Sequence, residues 1–291
     1  MNLHKKTNFV NLSVQLEDSA LQLLLQQTQA NAGYSNNIHI LPLPAFTDNY
    51  IWAMFNNTHC VVVDPGDANV VIDFVERFGL VLSSVLITHH HPDHTGGLKA
   101  LKAYNSALSV FGPHSAKIPE ITTPLASEDC VFLNEFGAEF RVMEAPGHTL
   151  DHILYYANDV LFCGDTLFSV GCGRIFEGSF AQMHQSLQQI VRLPPSTQIY
   201  CTHEYTLANI AFALTVEPDN PDLNHYKAWA ERQQASNIPT IPTTLSQQLK
   251  LNPFLRVKFS PVVKFAEQRS GHKGLDNVEV FTQLRLAKDE F

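Results

Sequence analysis

The sequence has little charge, few cysteines and no long apolar run. Charged residues make up 16% of its 291 residues, against about 25% in typical proteins, but the hydrophobic fraction of 45% is ordinary. We therefore expect a folded chain and not a disordered one. No stretch of about 18 consecutive apolar residues occurs, which predicts no membrane-spanning helix. The five cysteines form no Cys-x-x-Cys pair, so we expect reduced thiols in a cytoplasmic protein, without a disulfide framework or zinc ribbon.

The sequence also lacks an excess of basic residues. It contains 19 Lys and Arg residues against 28 Asp and Glu residues, which gives a formal net charge of −9. Proteins that bind nucleic acid or an anionic membrane need a basic surface, so the sequence predicts neither partner. The acidity is confined to residues 1–203, because residues 204–291 contain ten residues of each sign.

The chain is about twice as long as a usual domain, and its character changes near residue 204. Before that point short apolar segments alternate with amphipathic ones, which predicts an α/β domain over 38–203. Beyond it, helical patterns separated by prolines predict a smaller helical domain over 204–291. We interpret residues 1–37 as an N-terminal extension, because they only faintly imitate a secretory signal. The predicted strands are 38–43, 50–55, 60–63, 81–88, 108–111, 130–133, 139–144, 152–156, 160–163 and 198–201, and the predicted helices are 70–78, 97–104, 180–191, 206–215, 223–235, 244–251, 262–268 and 278–288.

The most informative segment is THHHPDHTGG at 88–97, which follows a predicted buried strand. It places four histidines and an aspartate within six positions. Imidazole and carboxylate are the ligands that suit zinc and other first-row divalent ions. His89 and His91 could bind one ion, while Asp93 and His94, at the start of the next turn, could face another. The segment therefore predicts two adjacent metal sites.

Further ligands follow three later predicted strands. His148 follows 139–144, Asp165 follows 160–163, and His203 follows 198–201. In an α/β layer such strand ends collect on one rim, so we expect these side chains to join the same site. A carboxylate can contact two ions at once, and we assign that bridging position to Asp165.

These motifs resemble those of the metallo-β-lactamase superfamily over about residues 38–203. Further stretches are similar to the glyoxalase II (hydroxyacylglutathione hydrolase) family: FTDNY at 46–50, GDTLF at 164–168, GCGR at 171–174, THEYT at 202–206, NPF at 252–254 and RLAKD at 285–289. The resemblance implies an α/β fold, a four-layer αββα sandwich followed by a smaller C-terminal helical domain. It also implies hydrolysis of the thioester S-D-lactoylglutathione to D-lactate and glutathione, in methylglyoxal detoxification. A monomer is typical of the family.

The resemblance implies a role for each candidate residue. One metal ion would be bound by His89, His91 and His148, a second by Asp93, His94 and His203, and both by Asp165. Zinc is the expected metal, and iron or manganese are the alternatives. A hydroxide bridging the two ions would be the nucleophile, which makes Asp93 and Asp165 the catalytic carboxylates.

The substrate-binding residues are likewise implied by the resemblance. Arg285 and Lys288 are three apart on a predicted helix and so share a face. By resemblance they bind the glycine carboxylate of glutathione, and Arg174 and Tyr205 complete the pocket. This assignment gives the balanced charge of residues 204–291 a function in an otherwise acidic protein.

The sequence departs from the family pattern at three positions. Phe176 stands where the family commonly has Tyr, Asp151 replaces a usual Gly, and Pro92 replaces a usual Trp. We expect one fewer hydrogen bond to glutathione at Phe176 and altered packing behind the metal ligands. Asp64 has two interpretations of equal weight: it either orients a ligand imidazole or forms a turn before Pro65.

The sequence alone leaves several other functions as alternatives. A persulfide dioxygenase of the same superfamily uses one iron, and its ligand set would leave the second set unused. Another thioester or lactone hydrolase would lack a use for Arg285 and Lys288. A zinc β-lactamase would be secreted and commonly has Cys at the position of Asp165, and an RNA nuclease would need a basic surface. A degenerate binding module would be expected to have lost some of the seven ligands.

Overall fold

The computed structural model of the protein describes residues 8–11 and 37–291. The described residues form two compact units. The first comprises those up to Met143 together with Ile153–Phe162, and the second comprises Glu144–His152 and Cys163–Phe291. Most of the predicted N-terminal extension lies outside the described residues.

A seven-stranded sheet forms the body of the first unit. In order across the sheet its strands are β1 (Asn8–Asn11), β2 (Asn37–Ala45), β3 (Asn49–Phe55), β4 (His59–Val63), β5 (Val81–Leu86), β6 (Ser109–Pro113) and β7 (Thr123–Leu125). β2 and β3 pair antiparallel, with His39 opposite Phe55. β3 pairs antiparallel with β4, and the strands from β4 to β7 run parallel.

Helices on this sheet explain why the parallel strands are buried. α1 (Ala68–Phe78) begins at Asp67, whose carboxylate accepts the Asn69 N–H, and ends at Gly79 with a φ of 64°. Its residues Val71 and Val75 share one helical face and are fully buried in the core. Two shorter helices, α2 (Pro92–Thr95) and α3 (Leu98–Tyr104), follow β5.

Four further strands belong wholly or mainly to the first unit. They are β8 (Cys130–Leu133), β9 (Ala138–Glu144), β10 (Ile153–Ala157) and β11 (Val160–Gly164), which lie in this order within their sheet. The β8–β9 and β10–β11 pairs are antiparallel. β9 alternates between buried and exposed residues over most of its length, as expected of a strand with one solvated face.

The second unit is mainly helical, as predicted for residues beyond 204. Its strands are β12 (Leu167–Phe168), β13 (Gly171–Cys172), β14 (Gln198–Cys201) and β15 (Thr243–Thr244), and its helices are α4 (Phe180–Val191), α5 (Thr206–Val216), α6 (Pro221–Ala235), α7 (Leu245–Leu251), α8 (Ser260–Ser270) and α9 (Asn277–Glu290), with a short 3-10 helix at Pro253–Leu255. Of these four strands only β14 was predicted; β12 pairs antiparallel with β13, and β15 with β14.

Capping residues set the ends of the helices in this unit. α9 begins with a capping box in which Asp276 and Glu279 each satisfy a backbone N–H of the other. α9 then buries Phe281 and Leu284 and carries Arg285 into the interior. Among the described residues, no helix is long and apolar enough to cross a membrane.

Candidate metal centre

The first unit holds four predicted ligands in one cluster, which we call the first cluster: His89, His91, Asp93 and His94. Nε2 of His89 lies 3.1 Å from Nδ1 of His91, and Nε2 of His94 lies 3.5 Å from Oδ2 of Asp93. The rings of His89 and His94 are 4.0 Å apart, and both residues are fully buried. Two ring nitrogens that each lie about 2.0–2.1 Å from one zinc ion would be separated by about the 3.1 Å found between Nε2 of His89 and Nδ1 of His91. The first cluster therefore fits a divalent cation.

Asp64, at the end of β4, orients two members of the first cluster. Its carboxylate accepts both the backbone N–H and the hydroxyl of Thr88 at 2.8 Å, and lies 3.0 Å from Nδ1 of His94. Because the Thr88 hydroxyl donates to Asp64, its oxygen accepts from Nδ1 of His89 at 3.1 Å. Protonated Nδ1 atoms leave Nε2 of His89 and of His94 as metal-binding lone pairs. These contacts are the ones that the orienting interpretation of Asp64 requires.

A close backbone contact fixes the turn that carries Asp93. A Cβ added at Gly66 would lie 2.0 Å from the Asp93 carbonyl oxygen, so only glycine fits there. On the other side, Nδ2 of Asn49 donates to Oδ2 of Asp93 at 3.0 Å. Asn49 belongs to the segment 46–50, but sequence reasoning did not assign it a contact with a ligand.

The second unit holds the other three predicted ligands, His148, Asp165 and His203, which we call the second cluster. Oδ2 of Asp165 lies 3.4 Å from Nε2 of His148 and 3.3 Å from Nε2 of His203. All three residues are buried. One carboxylate oxygen thus faces two imidazole nitrogens, an arrangement suited to a carboxylate that contacts two cations.

Main-chain groups of the segment 174–178 hold His148. Its Nδ1 donates to the Arg174 carbonyl at 2.7 Å, which leaves Nε2 as the ligand atom. The Phe176 N–H donates in turn to the His148 carbonyl at 3.1 Å. The Phe176 ring stands edge-on to the His148 imidazole, with 5.3 Å between their centres, and is 60% exposed. The departure from Tyr at this position therefore places an apolar surface beside a candidate metal ligand.

His152 holds Asp165 and was missed as a functional residue. The Asp165 N–H donates to Nε2 of His152 at 3.1 Å, so the His152 proton lies on Nδ1, which faces the Thr166 hydroxyl at 3.3 Å. His152 is 1% exposed. A histidine at the start of the predicted apolar strand 152–156 was the available signal, but the sequence does not show that this ring contacts the backbone of Asp165.

Aromatic rings support His203. The Tyr205 ring stacks on the His203 imidazole at 4.7 Å with an interplanar angle of 1°. The Phe168 ring stands edge-on to both, with centres 5.8 Å from His203 and 5.4 Å from Tyr205. Tyr205, predicted to bind substrate, therefore also fixes the plane of a candidate metal ligand.

The three predicted substrate-binding cations have different surroundings. Arg285 is 5% exposed and donates to the Cys172 carbonyl and to Asp289. Arg174 is exposed, and its Nε lies 3.7 Å from Oδ1 of Asp289. Nζ of Lys288 donates to the Ala208 carbonyl at 3.2 Å, and burial together with the nearby Arg285 charge lowers the pKa of Lys288. Arg285 and Lys288 lie on one helix, as predicted.

Two family models match consecutive parts of the chain, which together cover residues 46–291. The metallo-beta-lactamase superfamily matches residues 46–203, and the model described as hydroxyacylglutathione hydrolase C-terminus matches residues 204–291. A hydroxyacylglutathione hydrolase of Photobacterium profundum is 49% identical over 250 residues, which cover 86% of this chain and 98% of that relative. One of Vibrio parahaemolyticus is 49% identical over 255 residues, covering 87% of this chain and 100% of that relative.

Solved structures agree with the fold. The crystal structure of the BLEG-1 B3 metallo-beta-lactamase superposes with a TM-score of 0.54 at 23% identity, covering 75% of this chain and 99% of that one. The predicted fold class, a metallo-β-lactamase α/β fold followed by a helical C-terminal region, is confirmed. The chain belongs to the hydroxyacylglutathione hydrolase (glyoxalase II) family of the metallo-β-lactamase superfamily.

Proposed function

We propose that this protein hydrolyses S-D-lactoylglutathione to D-lactate and glutathione, as a metal-dependent thioesterase of methylglyoxal detoxification. The observation that carries the proposal is the presence of two buried His/Asp clusters in a chain that matches hydroxyacylglutathione hydrolases over nearly their whole length. We assign catalysis to residues 38–203 and substrate binding to 204–291, with 1–37 as an extension. We further propose that the protein acts in the cytoplasm as a monomer.

The clusters have the donor chemistry for two divalent ions. We assign one ion to His89, His91 and His148 and the other to Asp93, His94 and His203, with Asp165 as a ligand of both. Zinc suits this mixture of imidazole and carboxylate, while iron and manganese would also be accepted. Ions held there would supply Lewis acidity, which would lower the pKa of water at the site and would polarise a thioester carbonyl.

The protein's own contribution is to hold each ligand in its metal-binding form. Thr88, Asp64 and the Arg174 carbonyl face Nδ1 of His89, His94 and His148 respectively, which directs Nε2 of each ring toward the cation. Asp93 is fixed by the Asn49 amide. This arrangement requires no serine or cysteine nucleophile, in keeping with the burial of Cys163, Cys172 and Cys201.

The cationic residues supply recognition. Glutathione thioesters carry carboxylates, which an acidic protein repels unless it places cations locally. We propose that Arg285 and Lys288 bind the glycine carboxylate and that Arg174 and Tyr205 complete this pocket.

A steady-state assay of the purified protein tests the proposal. S-D-lactoylglutathione is compared with a thioester that lacks glutathione, and metal ions per chain are counted on the same sample. We expect rapid cleavage of the first substrate and close to two ions per chain. Equal rates on both substrates would contradict the glutathione pocket, while one iron and oxygen consumption on glutathione persulfide would replace the hydrolase with a dioxygenase.

A further inference from the structure

One carboxylate lies between the two arginines of the proposed glutathione pocket. Asp289, in the last turn of α9, accepts from Nε of Arg285 at 3.2 Å and from Nη2 at 2.9 Å, both on Oδ1. The same oxygen lies 3.7 Å from Nε of Arg174. The side chain of Arg285 is 6% exposed, that of Asp289 is 24% exposed, and that of Arg174 is 62% exposed. Asp289 thus connects a buried cation to an exposed one.

The contacts hold the Arg285 guanidinium on two sides. Asp289 occupies its Nε and Nη2 edge, and Nη1 donates to the Cys172 carbonyl at 2.9 Å. A guanidinium has five N–H groups, and Nη1 also lies 3.7 Å from Sγ of Cys172, so the second hydrogen on Nη2 remains for a further acceptor. A buried cation without a carboxylate partner is strongly destabilising. Asp289 therefore offsets the burial of the Arg285 charge and fixes the guanidinium at this position.

We infer that Asp289 is a positioning residue for recognition of a substrate carboxylate, an inference that rests on the proposed function. Asp289 and Arg285 are four apart on one helix, so their geometry is set before substrate arrives. Planar, bidentate recognition of a carboxylate by arginine depends on such a fixed orientation. With Arg174 and Lys288 included, the group retains an excess of positive charge for an anionic ligand.

The negative charge of Asp289 and its hydrogen bonds should affect binding of the substrate carboxylate in opposite directions, so an experiment can decide between them. Removing the negative charge raises the local positive potential and by itself would strengthen attraction of a carboxylate. Removing the two hydrogen bonds to Arg285 and the ion pair with Arg174 would free both side chains and weaken binding of the carboxylate. If positioning dominates, loss of Asp289 raises KM; if charge dominates, KM falls.

Catalysis itself should be affected far less than binding. Arg174 meets the candidate ligand His148 through its main-chain carbonyl, whereas it meets Asp289 through its side chain. A substitution at Asp289 leaves that carbonyl in place. We therefore expect the metal content to be retained and the effect to appear in KM much more than in kcat.

The experiment compares Asp289→Asn and Asp289→Ala with Glu290→Gln in the full-length, metal-loaded protein. Glu290 lies on the same helix as Asp289 but pairs with Arg269 of α8, so the control removes one negative charge without touching the pocket. We expect KM for S-D-lactoylglutathione to rise about tenfold in the Asp289→Asn variant and further in Asp289→Ala, and the Kd for glutathione, measured by calorimetry, to rise in parallel. KM for a thioester without glutathione should not change.

Several results would overturn the inference. An unchanged or lower KM in Asp289→Asn, or an equal rise in Glu290→Gln, would show that Asp289 does not position the arginines. If Asp289→Ala does not fold, the milder Asn variant still decides between these outcomes. A wild-type protein that neither cleaves S-D-lactoylglutathione nor binds glutathione would instead refute the proposed function and the inference with it.

Discussion

The two clusters of candidate ligands are built in different ways. The first cluster takes four residues from one turn, 89–94, directly after β5. The second cluster takes His148, Asp165 and His203 from three separate segments that each follow a strand. A contiguous turn is positioned by the strand before it, whereas dispersed ligands each need local support.

The supporting contacts show the same contrast. Asp64 alone meets both Thr88 and His94 in the first cluster. In the second cluster His148 depends on the Arg174 carbonyl, Asp165 on His152, and His203 on the stacked Tyr205 ring. Loss of one supporting residue should therefore disturb several ligands in the first cluster and a single ligand in the second.

The largest expected effect comes from removing the proposed common ligand. Asp165→Ala deletes the oxygen that lies 3.4 Å and 3.3 Å from the two second-cluster imidazoles. We expect kcat to fall by at least about 100-fold and metal content to fall below two ions per chain, since the substitution removes a ligand itself and not only its support. Both are measured on one preparation, by thioester assay and elemental analysis.

A control separates ligand loss from misfolding. Glu290→Gln again changes one exposed carboxylate without touching either cluster, and its rates should match those of the wild type. Near-normal kcat in Asp165→Ala would contradict the assignment of Asp165 as a ligand of both ions.

Intermediate effects should distinguish the supports of the two clusters. Asp64→Asn keeps the shape of the side chain, and Asn tolerates the positive φ of 53° at this position. It loses the carboxylate that faces His94 and Thr88, so we expect about a 100-fold loss of metal affinity. His152→Asn removes the acceptor of the Asp165 N–H alone, and we expect about a 10-fold loss.

Metal affinity is measured by competition with a chromogenic chelator. Thermal unfolding of the metal-free variants provides the control, because a general loss of stability would lower both quantities together. A larger loss in His152→Asn than in Asp64→Asn would reverse the comparison and show that the dispersed ligands share more support than their contacts indicate.

Much of the first cluster could be predicted because its determinants are local. The apolar run at 81–88 predicts a buried strand, observed as Val81–Leu86, and the ligands follow within a few residues. The helices agree closely with the predicted bounds because apolar spacing and capping residues coincide, as in Phe180–Val191 with its capping box at Ser179 and Gln182.

The residues that sequence reasoning missed depend on contacts between distant segments. The strand Thr243–Thr244 is too short to show a period and forms by pairing with Gln198 and Ile199. His152 reads as an ordinary strand residue until the backbone of Asp165 meets it. Asp289 appears in the family motif at 285–289, but its contact with Arg174 bridges residues far apart in the chain. Local sequence patterns carry no information about contacts between residues that are far apart in the chain.

The smallest expected effect concerns His39, which lies on β2 of the first unit. His39 is 2% exposed, neither ring nitrogen has a hydrogen-bond partner within the described part of the chain, and burial lowers its pKa below the ordinary 6.5. As pH falls through about 6.5, the unfolded chain binds a proton on His39 that the folded chain excludes. The free energy of unfolding therefore falls with falling pH until the folded pKa is reached, by less than about 1.4 kcal/mol per pH unit.

The variant His39→Phe, whose new ring would lie beside Phe55 as the imidazole does at 5.5 Å, should remove the contribution of His39. Its free energy of unfolding should therefore fall less steeply below about pH 6.5 than that of the wild type. Denaturant unfolding between pH 5 and 8 measures the difference, with the half-buried His59→Gln as control; parallel pH profiles for wild type and His39→Phe would show that His39 contributes nothing to the pH dependence.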